Sequence, residues 1–284
     1  IISKEKWVYV DDNNVEFKVS KDDFSIEVDK IKINFDVAFI VIHGSPGEDG
    51  LLQSYFELLG VPFTGCDSYT SSITFNKRDC ISILQKHNIP SAKSIHLNIG
   101  DAINENKIIA ELGLPCFVKA NKSGSSFGVY KVHDRKDLIS SINNSFKIDN
   151  EVLIESFLDG IEVSVGVMNY KNEIKILGIT QLITDNDFFD YSAKYEGKST
   201  EITPANISEL QKSNVTKIAK KIYKKLGLKG FSRSEFIFIG DTPFFIEINS
   251  IPGMTNDSIL PKQAENSGIS LKDICSEVIE QAIN

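Results

Sequence analysis

The run Phe231-Ser-Arg-Ser-Glu-Phe-Ile-Phe-Ile239, Gly240-Asp-Thr-Pro243, Phe244-Phe-Ile-Glu-Ile-Asn249 reads as a β-hairpin. Aromatic and β-branched residues fill two segments, and Gly-Asp-Thr-Pro breaks them. Side chains alternate faces along a strand, so Arg233 and Glu235 share one face of the first segment, and Glu247 and Asn249 one face of the second. With residues 239 and 243 flanking the turn, Glu235 stands opposite Glu247, and Arg233 opposite Asn249. Two carboxylates facing across a ladder have Cβ atoms about 5 Å apart and repel. A cation between them is therefore expected. Two carboxylates and an amide oxygen are hard donors of the kind Mg²⁺ takes, with phosphates filling the remaining positions. On the other face, Phe236, Phe238, Phe244, Ile246 and Ile248 are expected to pack inward. A solvated polar face on an edge hairpin gives the same alternation, and a one-residue register slip would undo the pairing.

Upstream, Pro115 to Lys119 reads as a strand leading into Ser123-Gly-Ser-Ser-Phe-Gly128, with a second strand over 129–132. Small residues let backbone N–H groups approach an anion. No Gly-Lys-Ser/Thr follows, and a strand rather than a helix comes next, so the stretch is neither a Walker loop nor a Rossmann fingerprint. A hairpin closing over phosphates and an ordinary loop both fit. Glu155, Leu158 and Glu162 surround the Leu158-Asp-Gly160 turn, where carboxylates could accept from ribose hydroxyls or an adenine amine; a solvated turn is the plainer alternative.

Toward the N-terminus, Phe35 to Ile42 (FDVAFIVI) is a nearly continuous apolar run that predicts a strand buried on both faces, as in a parallel sheet. It ends in His43-Gly-Ser-Pro-Gly-Glu-Asp-Gly50, after which Leu51, Leu52, Tyr55, Phe56, Leu58 and Leu59 recur at helical spacing. Residues 1–35 read as short strands. Helices are predicted over 76–88 (capped by Asn76, closed by Pro90), 135–147, 206–226 and from 271, strands over 151–155 and 162–168, and a polar, aromatic-rich loop over 184–204.

The chain has 284 residues, with 41% apolar and 25% charged, enough for a packed core. Its formal net charge of −8 excludes a bare nucleic-acid binder. No apolar run reaches the ~20 residues of a membrane span. Cys66, Cys80, Cys116 and Cys275 form no CxxC or Cys/His cluster and read as reduced, mostly buried thiols of a cytoplasmic protein. The opening IISKEKWVYV has no signal-peptide layout and no Met.

Five ordered motifs then combine: His43 to Gly50, Lys119 with Gly124-Ser-Ser-Phe-Gly128, Glu155-Ser-Phe-Leu-Asp-Gly-Ile-Glu162, Phe189-Asp-Tyr-Ser-Ala-Lys-Tyr195 and Glu247-Ile-Asn-Ser-Ile-Pro-Gly-Met254. Together they resemble the D-alanine–D-alanine ligases of the ATP-grasp superfamily, from about residue 36 to the C-terminus. The resemblance implies an α/β (α+β) ATP-grasp fold, two α+β subdomains sandwiching ATP behind a truncated parallel α/β N-terminal domain. The implied boundaries are 1–76, 77–166 and 167–284, with a mobile loop over 184–204.

The family implies ATP-dependent joining of two D-alanines through a D-alanyl phosphate, for peptidoglycan precursors. Glu235, Glu247 and Asn249 resemble ligands of Mg²⁺ or Mn²⁺, two ions in all. Lys77, Lys119 and Lys194 match phosphate-side lysines. Glu155, Phe157, Leu158, Glu162, Ser126 and Phe245 match other nucleotide contacts. Arg233 and the Gly253 N–H are similar to groups that stabilise the acyl phosphate and oxyanion, Ser258 to the residue holding the second substrate's carboxylate, and His43 to one near the first substrate. Ser125 and Tyr195 match a bonded pair completed in the family by a Glu of an earlier glycine-rich loop. That Glu is expected upstream of Ile1. Ala120 replaces a usual Pro, and Glu235 a frequent Asp. The segment Asp190 to Tyr195 resembles dipeptide-forming members and points to an amine nucleophile. Other readings are a D-alanine–D-serine or D-lactate ligase, and a non-catalytic ADP-binding module. A homodimer is implied, with no nucleic-acid or membrane partner.

Overall fold

The computed structural model describes residues 1–3, 6–124, 126–184 and 199–284. The sites expected at Ser125, Lys194 and Tyr195 lie outside the described residues.

The chain opens with two small hairpins, β1 (Val8–Val10) on β2 (Glu16–Lys18) and β3 (Ile26–Val28) on β4 (Ile31–Ile33). Aromatic edges hold them to helix α1 (Leu51–Leu59): Trp7 meets Tyr55 at 5.0 Å and Phe24 meets Phe56 at 4.7 Å between ring centroids, both T-shaped. The apolar run 35–42 does not form the strand predicted for it. It makes one parallel bridge, Ala38 to Phe63, and the Ile40 N–H then goes to the Thr64 hydroxyl (3.0 Å), which ends the ladder. Nor is the run buried on both faces, because Val41 is 47% exposed. Gly50 starts α1 at φ +89, where an added Cβ would strike the Ser68 carbonyl oxygen.

Helix α2 (Ser68–Phe75) follows an Asp67 cap, and α3 (Lys77–Lys86) starts at Asn76, whose side chain accepts from the Asp79 N–H. A first antiparallel sheet has the order β5 (Ser94–Asn98), β8 (Glu151–Ser156), β6 (Cys116–Ala120), β7 (Val129–Val132). Helices α4 (Glu105–Leu112) and α5 (Arg135–Phe146) bury Ile108, Leu138 and Ile142 against its Val118 and Ile154.

The larger sheet runs β11 (Ser199–Ile202), β10 (Glu173–Thr184), β9 (Ile161–Tyr170), β12 (Phe231–Ile239), β13 (Thr242–Asn249), all antiparallel. Helix α6 (Glu209–Lys225), opened by a Ser208–Gln211 capping box, sets Val215, Ala219 and Ile222 in the core that holds Val163, Val165 and Phe236. Helices α7 (Ile259–Asn266) and α8 (Leu271–Ile283) cover part of the opposite face through Leu260, Ala264 and Ile274, with Met168 and Leu177. There Gln263 of α7 lies over paired Gly166 and Gly178, and its Nε2 donates to the Ser164 carbonyl (2.8 Å) and the Thr180 hydroxyl (2.9 Å). A Cβ on either glycine would collide with Gln263.

The β12–β13 hairpin departs from the expected turn. Ile239 pairs with Thr242, so the loop is two residues, with Gly240 at φ +61 in the first central position. A bulge between the Glu235 and Phe236 pairs inserts Ile246 and restores the pairing Glu235–Glu247 and Arg233–Asn249. It also changes which side chains point inward: Phe236, Phe238, Phe245 and Ile248 are buried, whereas Phe244 and Ile246 are only partly so. All four cysteines are free thiols, and Cys66, Cys80 and Cys116 are buried. No described helix is long and apolar enough to cross a membrane.

Candidate active site

The two larger sheets enclose a cleft between the β6–β7 hairpin and the β12–β13 hairpin. Its apolar wall includes Ala92, Phe117, Leu158, Ile237 and Ile246. Its polar wall brings together Lys77, Lys119, Glu155, Glu162, Glu235 and Glu247. Lys119 and Glu155 come from β6 and β8 of one sheet, and Glu162, Glu235 and Glu247 from β9 and the hairpin of the other; antiparallel pairing gathers each set, and the cleft between the sheets brings the two sets together.

Glu235 is 3% exposed, and its Oε1 accepts from Arg233 Nη1 at 2.6 Å; the same Nη1 donates to Ser164 Oγ at 2.9 Å. Glu247 Oε2 lies 3.5 Å from Lys77 Nζ, which donates to the Ser123 carbonyl at 2.5 Å. Asn249, next along that face, has a buried Nδ2 with no hydrogen-bond partner. This donor set is two carboxylates and an amide. Among the described residues no three His, Cys, Asp or Glu side chains are placed to hold one metal ion, so a nitrogen- or sulfur-rich centre is not what is built here. Two carboxylates facing across one ladder, with the Asn249 amide oxygen as a third donor type on the same face, fit Mg²⁺ or Mn²⁺.

Lys119 pairs with Glu155 at 2.7 Å. Burial works against the Lys119 charge, and Glu155, with Glu247 and Glu162, outweighs it, so the amine is held above the ordinary lysine range and stays cationic. The other Glu155 oxygen, Oε1, is buried without a partner, an acceptor left for a ligand donor. Ser126, at φ +59, and Leu158 also line the cleft. Gly128 takes φ +70 against Ala120 and closes the loop between β6 and β7.

Two expected nucleotide contacts sit elsewhere. Phe245 is 1% exposed, packed edge-on to Phe236 at 6.0 Å in the core beneath the sheet, because the bulge turns it inward; Ile246 lines the cleft instead. Phe157 packs on Phe117 at 6.2 Å, with Lys131 Nζ 4.3 Å above its ring, and is not part of the cleft wall.

Beyond Glu235 and Glu247 lies a second group. A methyl placed on Gly253 would stand 2.6 Å from Ser258 Oγ and 3.8 Å from His43 Nε2, so these three residues converge. Ser258 caps α7 without a side-chain bond to it, and its Oγ meets the Thr255 hydroxyl at 2.8 Å. The first N–H groups of α7 are thus not taken by their own cap, the arrangement that favours an anion.

Sequence reading passed over two supporting residues. Glu48, inside the His43–Gly50 motif, is 8% exposed, and its Oε2 accepts from the Gly44 N–H at 2.7 Å. Burial pushes its carboxyl above the usual range, against the pull of the Gly44 N–H, the His43 charge and the Ile251 N–H. The second is Asn121, fully buried at the end of β6. A charged residue in an apolar-flanked loop was the only signal for the first, and the second had none.

Comparison with known proteins gives a consistent result. The family model described as the D-ala D-ala ligase C-terminus matches residues 83–280, and that of the D-ala D-ala ligase N-terminus matches residues 3–66. The chain is 55% identical to the D-alanine–D-alanine ligase of Flavobacterium johnsoniae, over 99% of this chain and 87% of that one. It is 52% identical to that of Christiangramia forsetii, over 100% and 87%. Among solved structures, D-alanyl-alanine synthetase A of Vibrio cholerae superposes with a TM-score of 0.86 at 26% identity, covering 99% of this chain and 86% of that one. The VanG D-Ala:D-Ser ligase of Enterococcus faecalis gives 0.82 at 31% identity, covering 95% and 80%.

Proposed function

From the premise that the chain belongs to the D-alanine–D-alanine ligase family, with an ATP-grasp fold, we propose the roles its residues take in joining two D-alanines at the expense of ATP for peptidoglycan synthesis. The observation that carries the assignment is the opposed pair Glu235 and Glu247 under Lys77 and Lys119.

ATP lies in the cleft with its base on the apolar wall, where the orphaned Glu155 Oε1 accepts from the adenine amine and Glu162 from the ribose. Lys119 and Lys77 face the phosphates, with Ser126 in the loop above. Glu235, Glu247 and Asn249 would hold Mg²⁺ or Mn²⁺, two ions by family resemblance, which neutralise phosphate charge when bound. A carboxylate oxygen of the first D-alanine attacks the terminal phosphorus of ATP, forming the D-alanyl phosphate as the bond to the departing ADP breaks. Arg233, fixed by Glu235 and Ser164, stabilises the acyl phosphate, and the amine of the second D-alanine attacks it. The Gly253 N–H and Arg233 receive the oxyanion before phosphate leaves, because preorganised donors act on charge that develops in the transition state. Ser258 and the N-terminus of α7 bind the second carboxylate, and His43 lies by the first substrate. Ser125, Lys194 and Tyr195 belong to the same proposal.

The reading extends to the division 1–76, 77–166 and 167–284 and to a cytoplasmic homodimer without a nucleic-acid or membrane partner, the first of those exclusions supported by the net charge of −8. The test is phosphate release with ATP, Mg²⁺ and D-alanine, set beside D-serine and D-lactate as second substrates. Release that depends on D-alanine and yields the dipeptide is expected. Faster turnover with D-lactate would overturn the amine nucleophile, and no release with any of the three would overturn the assignment.

A further inference from the structure

We infer that Asn121 is a positioning residue that holds Lys77 at the phosphate end of the cleft, by capping helix α3 from the neighbouring sheet. The inference deepens the reading above, since it rests on Lys77 as a phosphate-side lysine.

A helix leaves its first N–H groups without intrahelical partners. In α3 the side chain of the local cap, Asn76, takes one helix N–H, that of Asp79 (3.0 Å). The two earlier donors go to a residue more than forty positions away: Lys77 N to the Asn121 carbonyl (3.5 Å) and Arg78 N to Asn121 Oδ1 (2.8 Å). The Asn121 amide group donates back, to Asn76 Oδ1 (2.8 Å) and to Glu151 Oε2 (2.7 Å). Asn121 is 0% exposed, so its donors and its acceptor are all spent within the protein. Glu151 is in turn held by Arg78 Nη2 (3.1 Å) and Lys122 Nζ (2.9 Å). The cap is therefore one part of a closed network joining α3, β6 and β8.

Position gives the network its purpose. Lys77 is the first residue of α3, so its backbone is set by the two bonds to Asn121. Its Nζ reaches the Ser123 carbonyl, two residues beyond Asn121, and approaches Glu247. Lys119 lies on β6, two residues before Asn121, which directly follows the strand. One buried residue, through its side-chain amide on Arg78 N and its backbone carbonyl on Lys77 N, thus sets the spacing between the two phosphate-side lysines and registers both on the glycine-rich loop. An aliphatic side chain there would keep the backbone bond from Lys77 N–H but leave the Arg78 N–H unpaired and Glu151 short of one donor, loosening the first turn of α3.

The test is a double-mutant cycle of Asn121→Ala with Lys77→Ala, read by the Kd of a non-hydrolysable ATP analogue with Mg²⁺ and by the separate KM values for ATP and D-alanine. Asn121→Ala is expected to weaken nucleotide binding about tenfold while the D-alanine KM stays within about twofold. In the Lys77→Ala background its effect is expected to fall below about twofold. An equal loss in both backgrounds, or a lowered Tm with unchanged nucleotide Kd, would mean a structural role and overturn the inference. If Asn121→Ala does not fold, Asn121→Ser, which keeps a short polar group, takes its place in the same cycle. If Lys77→Ala itself leaves nucleotide binding unchanged, the reading of Lys77 fails and this inference falls with it, a result distinct from failure at Asn121 alone.

Discussion

Glu235 and Glu247 stand directly opposite each other across the β12–β13 ladder, and a single bulged residue, Ile246, brings them there. With the tight two-residue turn and no bulge, Glu235 would face Ile246 and the carboxylate pair would be out of step. Opposed carboxylates repel, so the arrangement is stable only with cations at hand, here Arg233 on one acid and Lys77 near the other.

Replacing Glu247 with Gln keeps shape and removes one charge. Turnover should fall about 10²–10³-fold, the ~3–4 kcal/mol typical of losing one preorganised electrostatic group. The Mg²⁺ concentration needed for half-maximal rate should rise, with Tm nearly unchanged. Steady-state rates across a Mg²⁺ titration measure this; an unaltered Mg²⁺ dependence would remove Glu247 from the metal site.

Arg233 Nη1 serves Ser164 and Glu235 at once. Lysine at this position keeps the charge but loses the planar fork. Arg233→Lys should lower kcat by about tenfold or more and leave the KM for ATP within about twofold, because the lost contact belongs to the transition state. A change confined to the KM for ATP would contradict that role.

Gly253→Ala places a methyl 2.6 Å from Ser258 Oγ and 3.2 Å from its Cβ. The serine must move, so the KM for the second D-alanine should rise about tenfold while nucleotide binding is preserved. Initial rates at varied D-alanine, together with nucleotide titration, separate the two effects; weakened nucleotide binding would argue for a wider collapse.

Gly160 lies on the backbone of Phe238, where an added Cβ would overlap the carbonyl oxygen. Gly160→Ala should cost about 1–3 kcal/mol through forced backbone shifts. In a chain of this size that lowers Tm by roughly 2–4 °C per kcal/mol, visible by calorimetry. An unchanged Tm would show that the 158–160 turn can relax.

Burial pushes the Cys80 thiol up to about 12 and that of Cys66 to about 11. At pH 8 their thiolate fractions are then about 10⁻⁴ and 10⁻³, and a thiol reagent should label only half-buried Cys275 in the native protein. The folded chain keeps these protons where the unfolded chain, with thiols near ~8.5, has lost them. Unfolding therefore releases protons above that pH, and stability falls as pH rises. Rapid labelling of any thiol besides Cys275 in native buffer would refute the burial.

The site hairpin is legible in its residue types, because alternation puts Arg233 with Glu235 and Glu247 with Asn249 whatever lies between. The bulge is not: it adds a residue within an unbroken apolar run, and it turns Phe245, matched to a nucleotide contact by resemblance, into the core. Other elements are hidden for local reasons. Helix α2 (SYTSSITF) has no apolar stripe and rests on its Asp67 cap and on buried Thr70, Ser71 and Thr74. The alternation of β10 is broken by an irregularity between Ile176 and Gly178. Helix α7 is eight residues long with Pro261 in its first turn. Asn121 has no local signature, since its burial depends on three elements meeting around it.

Helix α7 carries Ser258 at its first end, and Gln263, one turn on, is bolted to the backbone of Ser164, the residue whose hydroxyl receives Arg233. On the roles proposed above, the seat of the incoming amino acid and the cation over the acyl group are measured from a common datum. With no side chain on Gly166 or Gly178 to pry them apart, the helix and sheet act as an anvil for both.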